Sequence, residues 1–273
     1  MPRLDQELVN RGLARSRTQA AKLITEGAVL IDAEPIRKVS QQVTGEQAIE
    51  VKSSESNRFV SRAAHKLLGA LQAFPEVTVA GQRCLDAGAS TGGFTQVLLE
   101  AGALEVCAVD VGHDQLVSEL RQDERVKVYE GLNIRDLSPE QLGGRVALTV
   151  ADLSFISLTL VIAQLAESTQ PGGDLLLMVK PQFEVGRERL AKSGVVSSEA
   201  ERRRAVSGVV QAAVQQQLMV RGLAASPLPG QDGNVEYFLW LTKPMPGEQS
   251  KLEVHDFIEQ QWPSGRAAAE GEA

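Results

Sequence analysis

Between Leu85 and Phe94 the chain reads LDAGASTGGF, a glycine-rich turn that follows an apolar run and opens a helical pattern. Gly88, Gly92 and Gly93 allow the backbone to pass close to a ligand at the carboxyl edge of a sheet. With Ala89, Ser90 and Phe94 they form a candidate cofactor-binding segment. Asp110, 22 positions after Gly88, stands near the end of the next apolar run. A carboxylate there can accept hydrogen bonds from both hydroxyls of a ribose. The dinucleotide pattern G-x-G-x-x-G is not met, because position 90 is Ser, and the wider turn suits a ligand with no pyrophosphate to seat. The turn and Asp110 alone leave both a nicotinamide and S-adenosylmethionine open.

Three charged residues stand at or beside the ends of other apolar runs: Asp152, Lys180 and Glu236. Each taken singly reads as a solvated surface charge. Together, near the carboxyl ends of parallel strands, they lie where ligands bind in such folds. Methyl transfer to a hydroxyl would use this set. A ribose hydroxyl is a poor nucleophile at neutral pH, and a Lys beside a carboxylate can hold its oxygen and stabilise the developing alkoxide. The displacement is otherwise a matter of positioning, and it needs no metal.

The elements that must position these groups can be read from periodicity. Strand candidates are Arg83–Ala87, Glu105–Val111, Lys127–Glu130, Ala147–Asp152, Asp174–Lys180, Met219–Ala225 and Val235–Thr242. Amphipathic helices fall between them, over Phe94–Ala101 and from the capping residue Ser198 to about Gln217. Alternating strands and helices predict an α/β fold, a doubly wound and mostly parallel seven-stranded Rossmann-like sheet, with the last run returning antiparallel. Pro181–Val196 reads as a long irregular stretch after Lys180, and a loop of that length is expected to fold over substrate or cofactor. Before the sheet, the pattern gives two short helices, a strand at Ala28–Ile31, a turn at Asp32–Pro35, a return strand at Ile36–Val39 and one further strand. The polar Lys52–Asn57 separates this small α+β domain, residues 1–57, from a domain at 58–250, and 251–273 reads as a polar tail.

Composition bounds the rest. Apolar residues make up 43% of the chain, enough for a core, whereas aromatics at 4% advertise no base-stacking surface. Net charge is −7, yet residues 1–22 hold Arg3, Arg11, Arg15, Arg17 and Lys22 against Asp5 and Glu7, a local basic face. Cys84 and Cys107 lie in apolar runs without partners at metal-ligand spacing, so a reducing cytoplasm and no metal site are expected. The first residues form no secretory signal, and the most apolar segments, Leu158–Ala166 and Leu175–Val179, are too short to span a bilayer.

The longer motifs resemble the TlyA family. They are DAGASTGGFT at 86–95, VADLSFIS at 150–157 and VKPQFEV at 179–185, with VSRAAHK at 60–66, SPLPG at 226–230 and GNVEYF at 233–238. The resemblance runs to about residue 245. Members of that family are described as haemolysins and as ribosomal-RNA 2′-O-methyltransferases acting on cytidine. They join an S4-like RNA-binding domain to an FtsJ-type methyltransferase domain. The resemblance therefore implies S-adenosylmethionine as cofactor and ribosomal RNA or ribosomal subunits as partner. It implies a catalytic set of Lys66, Asp152, Lys180 and Glu236, of which periodicity alone places Lys66 merely on a helix flank. Cofactor contacts carried over fall on Gly88, Gly92, Phe94, Asp110, Asn133 and Asp152. Arg3, Arg15, Arg17 and Lys22 then read as phosphate contacts. Three competing readings stand beside this one: a membrane-active haemolysin, an RNA-binding assembly factor with a vestigial cofactor site, and a nicotinamide enzyme.

Overall fold

Leu4 and Leu8 stand one helical turn apart and both bury completely, which fixes helix α1 (Leu4–Asn10). Ser16 opens α2 (Arg17–Thr25) by accepting a hydrogen bond from the Gln19 N–H at 3.2 Å, and Ala20, Leu23 and Ile24 form its buried face. Strand β1 (Val29–Ile31) then pairs antiparallel with β2 (Glu34–Ile36) on one side and β3 (Ile49–Val51) on the other. The hairpin is tighter than the sequence predicts. Its turn is only Asp32 and Ala33, both at positive φ (50° and 71°), so the return strand starts at Glu34 rather than Ile36. Asp tolerates that backbone, and its carboxylate accepts from the Ala48 N–H at 3.1 Å, which holds the turn. One apolar cluster, including Leu4, Leu8, Ile24, Val29 and Val43, closes this small α+β unit.

The computed structural model describes residues 1–14, 16–52, 58–186, 188–249 and 252–263. By its internal contacts the chain divides into two units, Met1–Phe59 and Val60–Ala273.

The second unit begins with helix α3 (Ala63–Ala73) and is built on a seven-stranded sheet. Its strands are β4 (Arg83–Ala87), β5 (Glu105–Asp110), β6 (Val126–Glu130), β7 (Val146–Ala151), β8 (Thr169–Val179), β9 (Met219–Ala225) and β10 (Tyr237–Thr242), in the order β6-β5-β4-β7-β8-β10-β9. Every pair from β6 across to β8 is parallel, and β10 runs antiparallel to both its neighbours. Helices α4 (Gly93–Glu100), α6 (Ile162–Ser168) and α8 (Glu199–Gln215) serve as crossovers, with the short helix α5 (Ser118–Arg121) before β6. Leu85, Val109, Leu175, Leu177 and Leu239 from the sheet share one core with Val206, Val209 and Val210 of α8. This is the doubly wound, mostly parallel architecture that the alternating pattern predicts.

The order reverses beside β4: the chain moves outward to β5 and β6, then returns to β7 on the other side. Such a switch point leaves a crevice at the carboxyl edge of the sheet.

Two segments differ from expectation. The stretch after Lys180 starts with a helical turn, α7 (Pro181–Glu184), because Pro181 presets the first helical position. The segment expected as a polar tail contains helix α9 (Val254–Gln261), whose Phe257 and Ile258 are buried against the main core. Its mean polarity hides a narrow apolar stripe at Val254, Phe257, Ile258 and Trp262. The remainder from residue 264 lies outside the described residues.

Candidate active site

The crevice at the switch point holds a cavity of about 570 Å³, lined among others by Gly88, Ser90, Asp110, Asn133 and Asp152. Backbone geometry shapes it. Gly88 has φ 87°, and a Cβ there would lie 2.9 Å from the Asp152 carbonyl oxygen, so only glycine lets β4 and the end of β7 approach this closely. Asp110 is held rigidly: Ser90 N–H donates to its Oδ2 at 2.8 Å and Gly112 N–H donates to its Oδ1 at 2.7 Å. A carboxylate oxygen accepts more than one hydrogen bond, so the group still presents acceptors for a vicinal diol. Asn133 uses its Oδ1 to cap a short turn, accepting from the Arg135 N–H at 3.0 Å, which leaves its amide nitrogen for a ligand.

The other members of the glycine turn separate into two groups. Ala89, Gly93 and Phe94 line a smaller cavity of about 250 Å³, together with Gly88, Asp152 and Lys180. Phe94 is otherwise part of the core, stacked on Phe238 with ring centroids 6.1 Å apart. Gly92 lines none of the three cavities at this edge of the sheet. It stands at the N-cap of α4 with φ 98°, and a Cβ there would lie 2.3 Å from the Leu120 Cδ1.

Beneath the turn lies Asp86, wholly buried. The Thr95 hydroxyl donates to its Oδ2 at 2.6 Å, whereas Oδ1 has no hydrogen-bond partner. Burial pushes this carboxyl up to about 7, opposed by the Thr95 hydrogen bond and reinforced by the nearby Asp152 charge.

A second cavity, of about 410 Å³, adjoins the first and is lined by Lys66, Asp152, Lys180 and Glu236, with Gln182 and Phe183. Asp152 follows β7 by one residue, Lys180 follows β8 by one, and Glu236 precedes β10 by one. Because β10 runs against the sheet, its beginning lies at the same edge as the parallel strands' ends; Tyr237 is paired with Val179. Lys66 reaches in from α3. The four form two ion pairs. Lys66 Nζ is 2.6 Å from Glu236 Oε2, with side chains 7% and 2% exposed, and Gln182 donates to Glu236 Oε1 at 3.3 Å. Lys180 Nζ lies 2.7 Å from Asp152 Oδ1, off the hydrogen-bonding direction, and donates to Ser154 Oγ at 2.8 Å. Asp152 and Ser154 wall all three cavities, so the Lys180–Asp152 pair stands where they meet.

Phe155 is a residue that sequence reasoning passed over. It is 88% exposed, adopts φ 63°, lies with its ring 5.2 Å from that of Phe183, and borders both larger cavities. A low aromatic content conceals one well-placed ring; its position three residues after Asp152 in the VADLSFIS motif is the signal that could have found it.

The basic residues of the first unit are not equivalent. Arg3 and Arg17 both bind the buried Asp5, at 2.9 and 2.8 Å, and Arg3 chiefly holds that carboxyl below its ordinary range. Lys22 stands 3.7 Å from Glu26 on the surface. Arg11, counted in the basic face, ties Glu7 to the Gln47 and Thr44 carbonyls and so serves the fold. Arg15 lies outside the described residues. Among the described residues no helix is long and apolar enough to cross a membrane. No group of three or more His, Cys, Asp or Glu side chains there is arranged to hold a metal ion.

The sheet order, the crevice shaped by Gly88 and the anchored Asp110 fit an S-adenosylmethionine-dependent methyltransferase, and the match to the FtsJ-like methyltransferase family shows that class. Comparison with known proteins gives the particular kind. The profile of the FtsJ-like methyltransferase family matches residues 59–243, and that of the S4 domain matches residues 2–49. The chain is 53% identical over 239 residues to the 16S/23S rRNA (cytidine-2′-O)-methyltransferase TlyA of Mycobacterium tuberculosis, covering 88% of this chain and 89% of that one. It is 38% identical to YqxC of Bacillus subtilis, provisionally described as an rRNA methyltransferase, over 91% and 88% of the two chains. A solved structure from Streptococcus thermophilus, provisionally described as a hemolysin, superposes with a TM-score of 0.71 at 35% identity, covering 95% of this chain and 94% of that one. The chain belongs to the FtsJ-like methyltransferase family, as a TlyA-like member that joins an S4 domain to the methyltransferase domain.

Proposed function

We propose that this protein transfers a methyl group from S-adenosylmethionine to the 2′-hydroxyl of a cytidine ribose in ribosomal RNA. The observation that carries this reading is the Lys180–Asp152 pair at the junction of the two cavities. The larger cavity suits the cofactor, with Asp110 toward the ribose diol and Asn133 and Asp152 along the wall. When bound, the cofactor supplies an electrophilic methyl group on a sulfonium.

Lys180 Nζ carries three N–H donors. One meets Ser154 Oγ, the Asp152 charge fixes the position of the ammonium, and a remaining N–H is available to the hydroxyl oxygen of a ribose in the second cavity. As the ribose oxygen bonds the methyl carbon and the sulfur leaves as a neutral thioether, the hydroxyl proton would pass to the adjacent Asp152 carboxylate and on to solvent; the Lys180 donor counts most at that moment, because the developing negative charge sits on the atom it holds. Lys66 and Glu236 form the far wall and orient the sugar. Their mutual ion pair keeps both in one rotamer before substrate arrives. Phe155 offers its exposed ring to an unstacked base at the mouth, as enzymes that take a nucleotide out of its stack require.

The S4-like domain, residues 1–57, grips RNA phosphates through Arg3, Arg15, Arg17 and Lys22, contacts that position rather than specify. The methyltransferase domain, from residue 58, extends through helix α9, so the boundary at 250 moves outward. Cytoplasmic residence follows from the ribosomal substrate and is consistent with two buried free thiols. The test is to incubate ribosomal subunits with methyl-labelled S-adenosylmethionine and map the label. Label on a cytidine 2′-oxygen is expected. Label on a base, or none on RNA, overturns the reading.

A further inference from the structure

The segment Asp152–Ser157 carries Asp152, Ser154 and Phe155 into the site, yet it belongs to no strand or helix. Something must hold it. Its start is fixed where the Asp152 N–H donates to the Ala87 carbonyl at 3.1 Å. Its middle is fixed where Lys180 donates to Ser154 Oγ at 2.8 Å. Between that point and its end stands Phe155 at φ 63°, a left-handed backbone that an aromatic residue adopts only when its surroundings impose it.

The end is held from a distance. Glu184, the last residue of α7 and four positions beyond Lys180, turns its carboxylate back to this segment. Oε1 accepts from the Leu158 N–H at 2.8 Å, and Oε2 accepts from the Ser157 hydroxyl. Among the described residues no ion pair is made by Glu184, and burial raises its carboxyl above the ordinary range against the pull of these two hydrogen bonds. A partly buried carboxylate without a cation is costly to keep. Here it is the one side chain that binds both donors at once.

We propose that Glu184 is a positioning residue: it staples the end of the Asp152–Ser157 segment to the turn carrying Lys180, and thereby holds Phe155 and the Lys180–Asp152 pair in register. The two anchors flank the strained Phe155, Ser154 on one side and Ser157 on the other. Releasing the second lets Phe155 relax to an extended backbone and lets Ser154 leave Lys180. Because the segment walls both larger cavities, its release loosens the acceptor side and the cofactor side together. The catalytic consequence rests on the methyl-transfer reading; the staple itself does not.

The test compares Glu184→Ala with Glu184→Gln in the full-length protein. Gln keeps an acceptor for the Leu158 N–H and can donate to Ser157 Oγ, so it should stay within about 3-fold of wild type. Ala should lower kcat on ribosomal subunits by about 10- to 100-fold, the scale of a misplaced catalytic group, with a smaller loss of cofactor affinity. Hydrogen exchange at the Leu158 amide reads the staple without any substrate. It should accelerate at least about 10-fold in the Ala variant and little in the Gln variant. Ser157→Ala, which removes one of the two bonds, should fall between. An unchanged Leu158 exchange rate in Glu184→Ala overturns the staple, and so does an equal loss in Ala and Gln. Faster exchange with unchanged kcat overturns its role in catalysis. If wild type leaves ribosomal RNA unlabelled, the methyl-transfer reading fails while exchange and cofactor affinity still decide the staple.

Discussion

The two halves of the proposed site are made of different material. The cofactor half is mostly backbone: a glycine turn at the end of β4, amide groups that clamp Asp110, and a close approach of two strands at Gly88. The acceptor half is mostly charge: Lys66, Glu236, Lys180 and Asp152, brought from four separate places along the chain. Backbone cradles are rigid and local, so one segment specifies one. A charged pocket tolerates no missing partner, since each buried ion depends on another contributed from far away. The halves should therefore fail differently. Damage to the acceptor half should appear in stability or turnover with cofactor binding preserved, and damage to the cofactor half should appear in cofactor affinity first.

The largest effect expected is from Glu236→Gln. It leaves Lys66 buried without its counter-ion, and removing one partner of a buried pair costs about 3–5 kcal/mol. Denaturant midpoints measure this, and adding Lys66→Met should recover most of the loss. A single variant as stable as wild type would mean that the pair is solvated and the halves are less distinct. Next comes Lys180→Ala. Asp152 then loses its counter-ion, but its side chain keeps 16% exposure, so the stability cost should be smaller than for Glu236→Gln; turnover should fall about 100- to 1,000-fold, the scale of a lost donor at a developing oxyanion. Calorimetry should find S-adenosylmethionine affinity within about 3-fold, since Lys180 serves the acceptor. Weakened binding comparable to the lost turnover would break the comparison.

Gly92→Ala addresses the cofactor half. The new Cβ meets Leu120 and the residue keeps a positive φ, so a cost of about 1–3 kcal/mol is expected, shared between stability and cofactor affinity. The last test concerns pH. Asp86 in the folded protein holds its proton up to about 7, above its ordinary value of 3.8. The folded state thus binds the proton more tightly, and this contribution to stability is full at acid pH and lost as pH rises from about 4 to about 7. Asp86→Asn should flatten that slope, so that its Tm relative to wild type rises between pH 5 and pH 8. A constant difference across this range would show Asp86 ionised throughout.

The same division governs how much could be read from sequence. The glycine turn, Asp110 and the alternation of strands and helices are local patterns, and the sheet follows from them closely. Asp152, Lys180 and Glu236 were visible as charges at strand ends, because strand ends are legible. Lys66 was not: its pairing with Glu236 spans 170 positions, and helical spacing places it on a flank like any lysine. The role proposed for it rests on the resemblance of whole motifs. Phe155 and Glu184 escaped for another reason. One acts through an unusual backbone angle and the other through a hydrogen bond back across a turn, and neither leaves a periodic trace. Helix α9 escaped because its three apolar residues, with Trp262 just beyond it, are diluted in a polar segment.

The antiparallel course of β10 has a consequence for how the protein is made. During synthesis from the amino terminus, the glycine turn, Asp110, Asp152 and Lys180 all emerge well before Glu236. The nascent chain can therefore assemble most of the parallel layer while Lys66 still lacks its carboxylate. The acceptor wall closes only when β10 takes its place between β8 and β9, after both have been made. A product cut short before residue 236 would keep the cofactor-binding elements and lack the finished acceptor pocket.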